Sequence, residues 1–160
     1  MPGLPPQAQW QTLLDLALAE DVGPGDLTSR IVVDPDEAGR GRLEARAPLV
    51  VCGLDVAEAV FREVDPTLAI ERIPGIADGT RLEAGEVFLR VHGRYASILT
   101  AERTALNFLG RLCGVASQTR RLVDSIAGLP TALVDTRKTT PGWRALEKYA
   151  VAVGGGVNHR

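Results

Sequence analysis

The order of elements over residues 129–160 constrains the fold more than any other feature of the sequence. An apolar, β-rich segment, "LPTALVD", is followed by a basic loop and then by the helical pattern of "TTPGWRALEKYAVAV". The chain then reaches "GGGVNHR", whose glycines end the helix before a second extended segment or loop. A strand–loop–helix–strand order is the opening of a parallel α/β unit, so we predict such a unit here.

The boundaries of this unit follow from its capping residues. We expect the short strand at 129–135 to be buried, because it is apolar and rich in β-formers. Thr140 is predicted to cap the helix, with Pro141 in its first position and Gly154 ending it.

A long helical pattern precedes this unit, from Ile98 to Ile126. Thr100 is predicted to cap this helix, and the pattern is interrupted around Gly114. Its apolar face carries Leu106, Leu109, Leu112 and Cys113. A different face carries three polar residues at intervals of four, Arg103, Asn107 and Arg111.

The segments before Ile98 are predicted to form both strands and helices. Asp55 is predicted to cap the helix at 54–65. The predicted helices cover 8–20 and 54–65, and the predicted strands cover 41–53, 68–73 and 86–94. This order is typical of an α+β sandwich with helices on one face of a sheet.

Composition argues against several functional classes. The net charge of −2 leaves no global basic surface of the kind that nucleic-acid-binding proteins use. No apolar run is long enough to cross a bilayer, and "MPGLPPQAQW" lacks the basic and apolar regions of a signal peptide. Cys52 and Cys113 have apolar neighbours and no zinc spacing, so we expect buried free thiols. We therefore expect no nucleic-acid or membrane partner and place the protein in the cytoplasm.

The basic loop after the first strand of the α/β unit is the candidate site. Of the 18 lysines and arginines, only Lys138 and Lys148 are lysines, and Lys138 lies in "DTRK" at the carboxyl end of that strand. Ligands bind at this edge in parallel α/β folds. Arg137 offers a fork of donors, Lys138 a compact charge, and the threonines around them hydroxyl groups. The start of the next helix adds positive potential, so the set suits a polyanionic ligand.

Other interpretations of these cations stay open. Two adjacent basic residues are often part of a solvated surface. Lys148 fits an exposed partner of Glu147 or of a neighbouring residue, and Arg103 and Arg111 fit ordinary surface arginines of a helix. His92 lies in a β-like segment and fits a structural role. The glycine triplet fits a simple helix stop, since no GxGxxG or P-loop pattern is present.

The whole stretch "DTRKTTPGWRALEKYAVAVGGGVNHR" closely resembles the signature of the quinolinate phosphoribosyltransferase family, the carboxylating nicotinate-nucleotide pyrophosphorylases. The resemblance extends back through "AERTALNFLGRLCGVAS" to "EDVGPGDLTS" and covers nearly the whole chain in order. It implies condensation of quinolinate with phosphoribosyl pyrophosphate to give nicotinate mononucleotide in NAD biosynthesis, with release of pyrophosphate and carbon dioxide.

The resemblance also implies a fold, namely an N-terminal open-faced α+β sandwich domain followed by an α/β barrel. We expect residues 1–108 to form the sandwich domain, including the start of the linking helix, and residues 109–160 to form a first, truncated part of the barrel. A barrel takes roughly 200 to 250 residues. We therefore expect this chain alone to be poorly stable and inactive. Its open apolar faces would include Leu133, Val134, Ala150 and Val153.

The family pattern assigns the site residues. It implies Lys138 and His159 as catalytic residues. It implies substrate binding by Arg103, Thr136, Arg137, Lys138 and Arg160. Arg103 is expected to serve the neighbouring subunit of a homodimer, whose active site is shared. Mg²⁺ is expected to accompany phosphoribosyl pyrophosphate, with its protein ligands beyond residue 160 and none within this chain.

The chemistry suggests roles within this set. We expect Arg103, Arg137 and Arg160 to bind the substrate carboxylates, because arginine forks match carboxylates geometrically. Lys138 would balance charge near both substrates and His159 would shape the cavity. Two alternatives stay open: a molybdenum-transport-associated paralogue with another substrate, and a non-catalytic dimerisation fragment. "ERTALN" and "NHR" favour the quinolinate enzyme over the paralogue.

Overall fold

The computed structural model describes residues 3–23, 34 and 37–159. A short 3-10 helix at Gln7–Gln9 leads into the first α-helix. The α-helices are α1 (Gln11–Val22), α2 (Leu54–Val64), α3 (Tyr95–Ser125) and α4 (Arg144–Val153). The strands are β1 (Ala38–Glu44), β2 (Leu49–Val50), β3 (Ala69–Arg72), β4 (Arg81–Leu82) and β5 (Val87–Arg94). The protein is therefore a mixed α/β structure.

Two small antiparallel sheets lie in the first half of the chain. Strand β5 lies between β1 and β3, and Ile70 of β3 faces Val91 of β5. Strands β2 and β4 form a separate pair. The single strand predicted at 41–53 is therefore two strands in different sheets. Pro48 lies just before β2 and has no N–H to donate to a ladder, which explains the break.

Helix α3 connects the two halves of the structure. It packs against α1, α2, α4 and strands β1, β2 and β5. The largest fully buried side chains come from these elements: Leu14, Leu54, Phe61, Leu89, Phe108, Leu112 and Leu146. One apolar core therefore extends along α3 from the sheets to α4.

The start of α2 differs from the prediction. Its N-cap residue is Gly53, with a φ angle of 98°, a left-handed conformation that glycine adopts without a steric cost. Asp78 supplies the cap from another loop, because its carboxylate accepts from the N–H groups of Gly53 (2.8 Å) and Leu54 (3.1 Å). Asp55 lies in the first turn and forms an ion pair with Arg72. The expectation that Asp55 caps this helix is therefore wrong.

Helix α3 begins earlier and runs further without a break than its sequence predicts. It starts at Tyr95, directly after β5, and Thr100 lies inside it, where its hydroxyl donates to the carbonyl of Ala96 over 2.9 Å. The helix also continues through Gly114. A glycine costs a helix about 1 kcal/mol relative to alanine, and burial of Cys113 and Ala116 beside it offsets that cost. Thr100 is thus no cap, and the interruption is absent.

The predicted α/β unit forms with a very short parallel pairing. Val134 and Val157 form a parallel bridge. The N–H of Asp135 donates to the carbonyl of Val157 over 3.1 Å, and the N–H of Val157 donates to that of Leu133 over 2.8 Å. The parallel arrangement is confirmed, but burial of the strand is not. Val134 is 53% exposed and Val157 is 52% exposed, because no other element in the described part of the chain covers them.

Helix α4 begins later than predicted and ends where predicted. Its N-cap is Trp143. The three residues before the N-cap, 140–142, form a turn, in which the N–H of Trp143 donates to the carbonyl of Thr140 over 3.0 Å. The predictions for Thr140 as cap and Pro141 as first helical residue are therefore wrong. The stop is confirmed, since the helix ends at Val153 with Gly154 as its C-cap.

The end of α4 is packed closely against α3. A Cβ atom on Gly154 would lie 2.5 Å from the carbonyl oxygen of Ala116, so only glycine allows this approach. As a result Ala150 and Val153 are buried. The expectation of open apolar faces is therefore wrong for these two residues, and it holds for Val134.

Both cysteines lie in the apolar core. Cys52 and Cys113 are free and buried, as expected. The N–H of Cys52 donates to the sulfur of Cys113 over 3.3 Å, and burial raises the pKa of the Cys113 thiol to about 11. No helix within the described residues has the length and apolar character that a membrane span requires.

Candidate functional site

The basic loop bends directly after the strand segment that ends at Asp135. The N–H of Lys138 donates to Thr136 Oγ1 over 3.1 Å, which closes a tight turn. The side chains of Arg137 and Lys138 are exposed, and neither forms a hydrogen bond or an ion pair with another residue in the described part of the chain. The loop therefore presents two adjacent cations to solvent, where a polyanion can reach them.

A buried carboxylate lies at the base of this loop. The Asp135 side chain is only 5% exposed and has three donors. The N–H of His159 donates to Oδ1 over 2.7 Å, and Nζ of Lys148 donates to Oδ2. With its amide nitrogen turned inwards, Asn158 also donates to Oδ2, over 2.9 Å. One carboxylate thus joins the "DTRK" loop, the segment around His159 and helix α4.

Lys148 takes part in this cluster instead of pairing with Glu147. Its Nζ forms an ion pair with Asp135 and also donates to the carbonyl of His159 over 3.3 Å. Adjacent residues on a helix point in directions about 100° apart, so Glu147 and Lys148 cannot face each other. The interpretation of Lys148 as an exposed partner of Glu147 is therefore wrong.

Glu147 holds the far end of the same loop. Its carboxylate accepts from Nε of Arg111 (3.1 Å), from the N–H of Thr140 (3.1 Å) and from the Thr140 hydroxyl (2.8 Å). Burial raises the pKa of Glu147, but hydrogen bonds from Arg111 and Thr140 outweigh burial and hold that pKa below its usual range. Arg111 also donates to Thr140 Oγ1 over 2.8 Å. It therefore ties helix α3 to the loop, which a plain surface arginine would not do.

A cavity lies beside the loop and the start of α4. Its volume is about 580 Å³. Its lining includes two threonine hydroxyls of the loop, at Thr139 and Thr140, and two cations of α4, Arg144 and Lys148. Among the described residues, this lining contains no carboxylate, and the Arg144 guanidinium has only neutral acceptors, at Thr139 and Arg137. The cavity is therefore positively charged, which is consistent with an anionic occupant.

Arg103 lies elsewhere on α3. It donates to Asp21 Oδ1 of α1 over 2.7 Å, and Thr104 contacts the same carboxylate at 3.5 Å. Because a helix rises 1.5 Å per residue, Arg103 and Arg111 are about 12 Å apart along its axis. In this chain Arg103 is therefore placed at the contact between α1 and α3. Its predicted contribution to a neighbouring subunit stays a prediction.

The remaining predicted residues divide into two groups. His159 is described, and its backbone is held at both its N–H and its carbonyl by Asp135 and Lys148. Arg160 lies outside the described residues, as do residues 24–33, which include most of "EDVGPGDLTS". The binding role assigned to Arg160 therefore stays a prediction.

The sequence reasoning gave no role to Asp135, which proves to be the centre of the cluster. The residue type carried a usable signal. An aspartate that follows an apolar strand is expected to be partly buried, and a buried carboxylate requires a cation or several N–H donors nearby. Lys148, on the helix that follows the loop, supplies the cation that this carboxylate requires.

The acidic residues near the basic loop are already bonded to other groups of the protein. Within the described residues, no group of three or more His, Cys, Asp or Glu side chains is arranged to hold a metal ion. The acidic groups at the site, Asp135 and Glu147, are each occupied by cations and N–H donors. These residues therefore do not fit a magnesium site by themselves.

Two family models match the sequence in succession. The model described as the N-terminal domain of quinolinate phosphoribosyl transferase matches residues 26–113, and the model of its C-terminal domain matches residues 115–160. Two individual proteins have similar sequences over most of this chain. A probable carboxylating nicotinate-nucleotide pyrophosphorylase from Synechocystis is 41% identical over 157 residues, which are 98% of this chain and 52% of that protein. The carboxylating nicotinate-nucleotide pyrophosphorylase of Mycobacterium leprae is 43% identical over 145 residues, covering 90% and 51%.

A solved structure agrees with these matches. NadC from Streptococcus pyogenes superposes with a TM-score of 0.95 at 39% identity, over 100% of this chain and 56% of that one. The chain spans about half the length of the relatives that it matches. Since both family models match in order and the first covers more than half of the sequence, the chain belongs to the quinolinate phosphoribosyltransferase family.

Proposed function

We propose that the protein containing this chain transfers the phosphoribosyl group of phosphoribosyl pyrophosphate to quinolinate, with decarboxylation, in NAD biosynthesis. One observation carries the proposal: a buried carboxylate, Asp135, joins the two segments that bear the predicted substrate-binding residues. The family match supports the same conclusion. It does not favour the alternatives of a paralogue with another substrate or a non-catalytic dimerisation fragment.

The charge of the substrates explains why the site is basic. Quinolinate carries two carboxylates, and the sugar donor carries several phosphoryl charges. These anions repel each other, so their assembly requires cations that are already in place. Arg137 and Lys138 are exposed and adjacent, and Arg144 lines the neighbouring cavity. This supports binding of a carboxylate by the Arg137 fork and charge balance by Lys138.

The reaction needs no protein nucleophile. The pyridine nitrogen attacks the anomeric carbon as the bond to pyrophosphate breaks, and positive charge develops on the sugar. The pyridinium that forms can then accept the electron pair of the adjacent C–C bond as carbon dioxide leaves, and a proton takes its place on the ring carbon. The contribution of the protein is to position the reactants and stabilise charge. His159 would shape the cavity at this centre.

The remaining parts of the proposal concern assembly, metal and fold. Arg103 would reach the site of a second copy, so that the homodimer shares its active sites, and Arg160 would bind a substrate carboxylate. Mg²⁺ would accompany the pyrophosphate group, held by residues other than those described. Residues 1–108 would form the open-faced sandwich, and residues 109–160 would open an α/β barrel. The working compartment would be the cytoplasm.

The test is turnover of quinolinate and phosphoribosyl pyrophosphate by the full-length protein, followed as nicotinate mononucleotide. Lys138→Arg should lower kcat/KM by about 10- to 100-fold, because a planar fork cannot replace a compact movable charge. Arg46→Lys is the matched control, since Arg46 is exposed in the turn before β2 and should leave turnover unchanged. No nicotinate mononucleotide from the wild-type protein would overturn the proposed function. Unchanged kinetics in Lys138→Arg would overturn the role of that residue.

A further inference from the structure

The parallel pairing beneath the site is too short to fix the site by itself. Two backbone hydrogen bonds join Leu133, Asp135 and Val157, and the valines of this pairing are about half exposed. Apolar burial therefore contributes little to holding the segments together. The residues that bear the predicted cations and the imidazole follow directly after this pairing, so something else must fix their relative positions.

The Asp135 carboxylate supplies the missing connection. Its own N–H belongs to the parallel pairing, and its side chain reaches forward to the N–H of His159 over 2.7 Å. The pairing is thereby extended by two residues beyond Val157. Asn158 contributes a further bond to the same carboxylate. The backbone from Val157 to His159 is therefore held against the start of the basic loop.

Lys148 fixes this arrangement to the rest of the protein. Its Nζ pairs with Asp135 and donates to the carbonyl of His159, so it contacts both segments at once. Its helix is packed closely on α3 at Gly154. The ammonium group of Lys148, whose side chain is 16% exposed, therefore connects both segments to the packed core.

We propose that Asp135 and Lys148 are a positioning pair, which sets the distance between the Arg137–Lys138 cations and His159 for binding of the dicarboxylate substrate. This inference rests on the proposed function and deepens it. Neither residue needs to touch substrate. The pair acts through the backbone, because Arg137 and His159 are each within two residues of Asp135 or bonded to it.

The experiment is a double-mutant cycle in the full-length protein with Asp135→Asn, Lys148→Met and the double variant. Each single variant should lower kcat/KM for quinolinate by about 10- to 100-fold, because displacements near 1 Å at a site have effects of that size. The double variant should be no worse than the worse single variant, since both remove one connection. Hydrogen exchange at the His159 amide should become faster in Asp135→Asn, because that amide loses a charged acceptor.

Glu58→Gln is the matched control. Glu58 also forms a part-buried ion pair, with Arg72, but in the N-terminal half of the chain. It should lower thermal stability while leaving kcat/KM within about twofold. If Asp135→Asn behaves in the same way, losing stability alone, the positioning role is wrong. If Asp135→Asn does not fold, Lys148→Met decides the question, because it leaves the bond between Asp135 and the His159 amide in place.

The readouts separate this inference from the proposed function. Hydrogen exchange does not depend on turnover. If the His159 amide exchanges faster in Asp135→Asn but the wild-type protein makes no nicotinate mononucleotide, the proposed function is wrong. The pair then does not position a site for that substrate. If wild-type turnover is normal but the losses of kcat/KM in Asp135→Asn and Lys148→Met multiply in the double variant, only the positioning pair is refuted.

Discussion

Residues 38–94 and the extended segments within residues 129–159 are held in place by different forces. In the first region Leu89 and Val91 of β5 are fully buried between neighbouring strands and helix α3. In the second region Val134 also lies in an extended segment with a parallel partner, yet it is about half exposed. Helix α4 of this region is packed on α3 through Leu146 and Ala150. The segments before and after the helix are instead ordered by bonds to the carboxylates of Asp135 and Glu147.

This difference separates stability from function. Apolar burial is not directional, so it stabilises a fold without fixing a particular distance between polar groups. Charge-assisted hydrogen bonds are directional and short. Substitutions in the first region should therefore change the free energy of unfolding with little effect on substrate binding, and substitutions at Asp135 and Lys148 should change substrate binding as well as stability. Five further variants test this contrast.

The largest expected effect is loss of core packing in the first region. Phe61 on α2 is fully buried. Phe61→Ala should lower the free energy of unfolding by about 3–5 kcal/mol, from lost burial and the cavity left behind. The measurement is urea denaturation of the full-length protein. Leu16→Ala is the control, because Leu16 is exposed on α1 and its change should stay within about 0.5 kcal/mol. Equal losses in both variants would contradict the assignment of the core.

The next effect concerns the joint between the two regions. A Cβ atom at Gly154 would lie 2.5 Å from the Ala116 carbonyl and 2.6 Å from Cβ of Thr119. Gly154→Ala should therefore push α4 away from α3 and cost about 1–3 kcal/mol. Because Lys148 moves with α4, kcat/KM for quinolinate should fall as well. Gly110→Ala is the control, since nothing lies within 4 Å of its added Cβ atom. A stable Gly154→Ala variant with normal kinetics would show that the joint does not determine the site.

The elements of the first region were largely predictable from the sequence, and their ends were not. The helical spacing of apolar residues indicated α2, which buries Val56, Val60 and Phe61, and the β-rich composition indicated β3 and β5. The cap of α2 was missed because it comes from Asp78, which is 25 residues away from Gly53 along the chain. Thr100 offered a local cap, but β5 leads directly into α3 at Tyr95.

The site was predictable in its residue types and not in its connections. The family signature singled out Arg137, Lys138 and His159. It gave no indication that Asp135 would bond to Lys148 instead of leaving that lysine to Glu147. Such a pairing depends on where α4 begins, and the turn at 140–143 shifts that start by several residues. Burial of the strand was overestimated because apolar composition does not show whether another element covers it.

A smaller effect is the acid dependence of two buried carboxylates, one in each region. Hydrogen bonds from Thr67 and Ser97 hold the pKa of Asp65 below its usual value. Burial raises the pKa of Glu147, but hydrogen bonds from Arg111 and Thr140 lower it by more, so the pKa lies below its usual value. Both groups therefore stabilise the folded state above their unfolded-state pKa values, and this stabilisation is lost as the pH falls through the folded-state values.

Asp65→Asn and Glu147→Gln should each cost on the order of 1 kcal/mol at pH 7. The difference from wild type should shrink as the pH is lowered below about 4, when the wild-type carboxylates are protonated too. Urea denaturation between pH 3 and pH 7 measures both. Only Glu147→Gln should also lower kcat/KM, because it holds Thr140. A pH-independent loss in either variant would mean that its charge is not what stabilises the fold.

The smallest expected loss of stability is at an exposed ion pair. Like the positioning pair it joins a carboxylate to a cation, but it is not buried. Arg81 of β4 and Asp124 of α3 are 2.7 Å apart, with side chains 65% and 46% exposed. Water and salt screen such a pair, so Asp124→Asn should cost at most about 1 kcal/mol, and the difference should decrease in 1 M salt. Asp135→Asn should lose more, and its loss should depend less on salt, because that carboxylate is buried. Denaturation of both variants at low and high salt measures the contrast. Equal losses of stability in Asp124→Asn and Asp135→Asn, both reduced by salt, would show that burial does not distinguish the two pairs. Polar contacts could then not fix the segments of the second region.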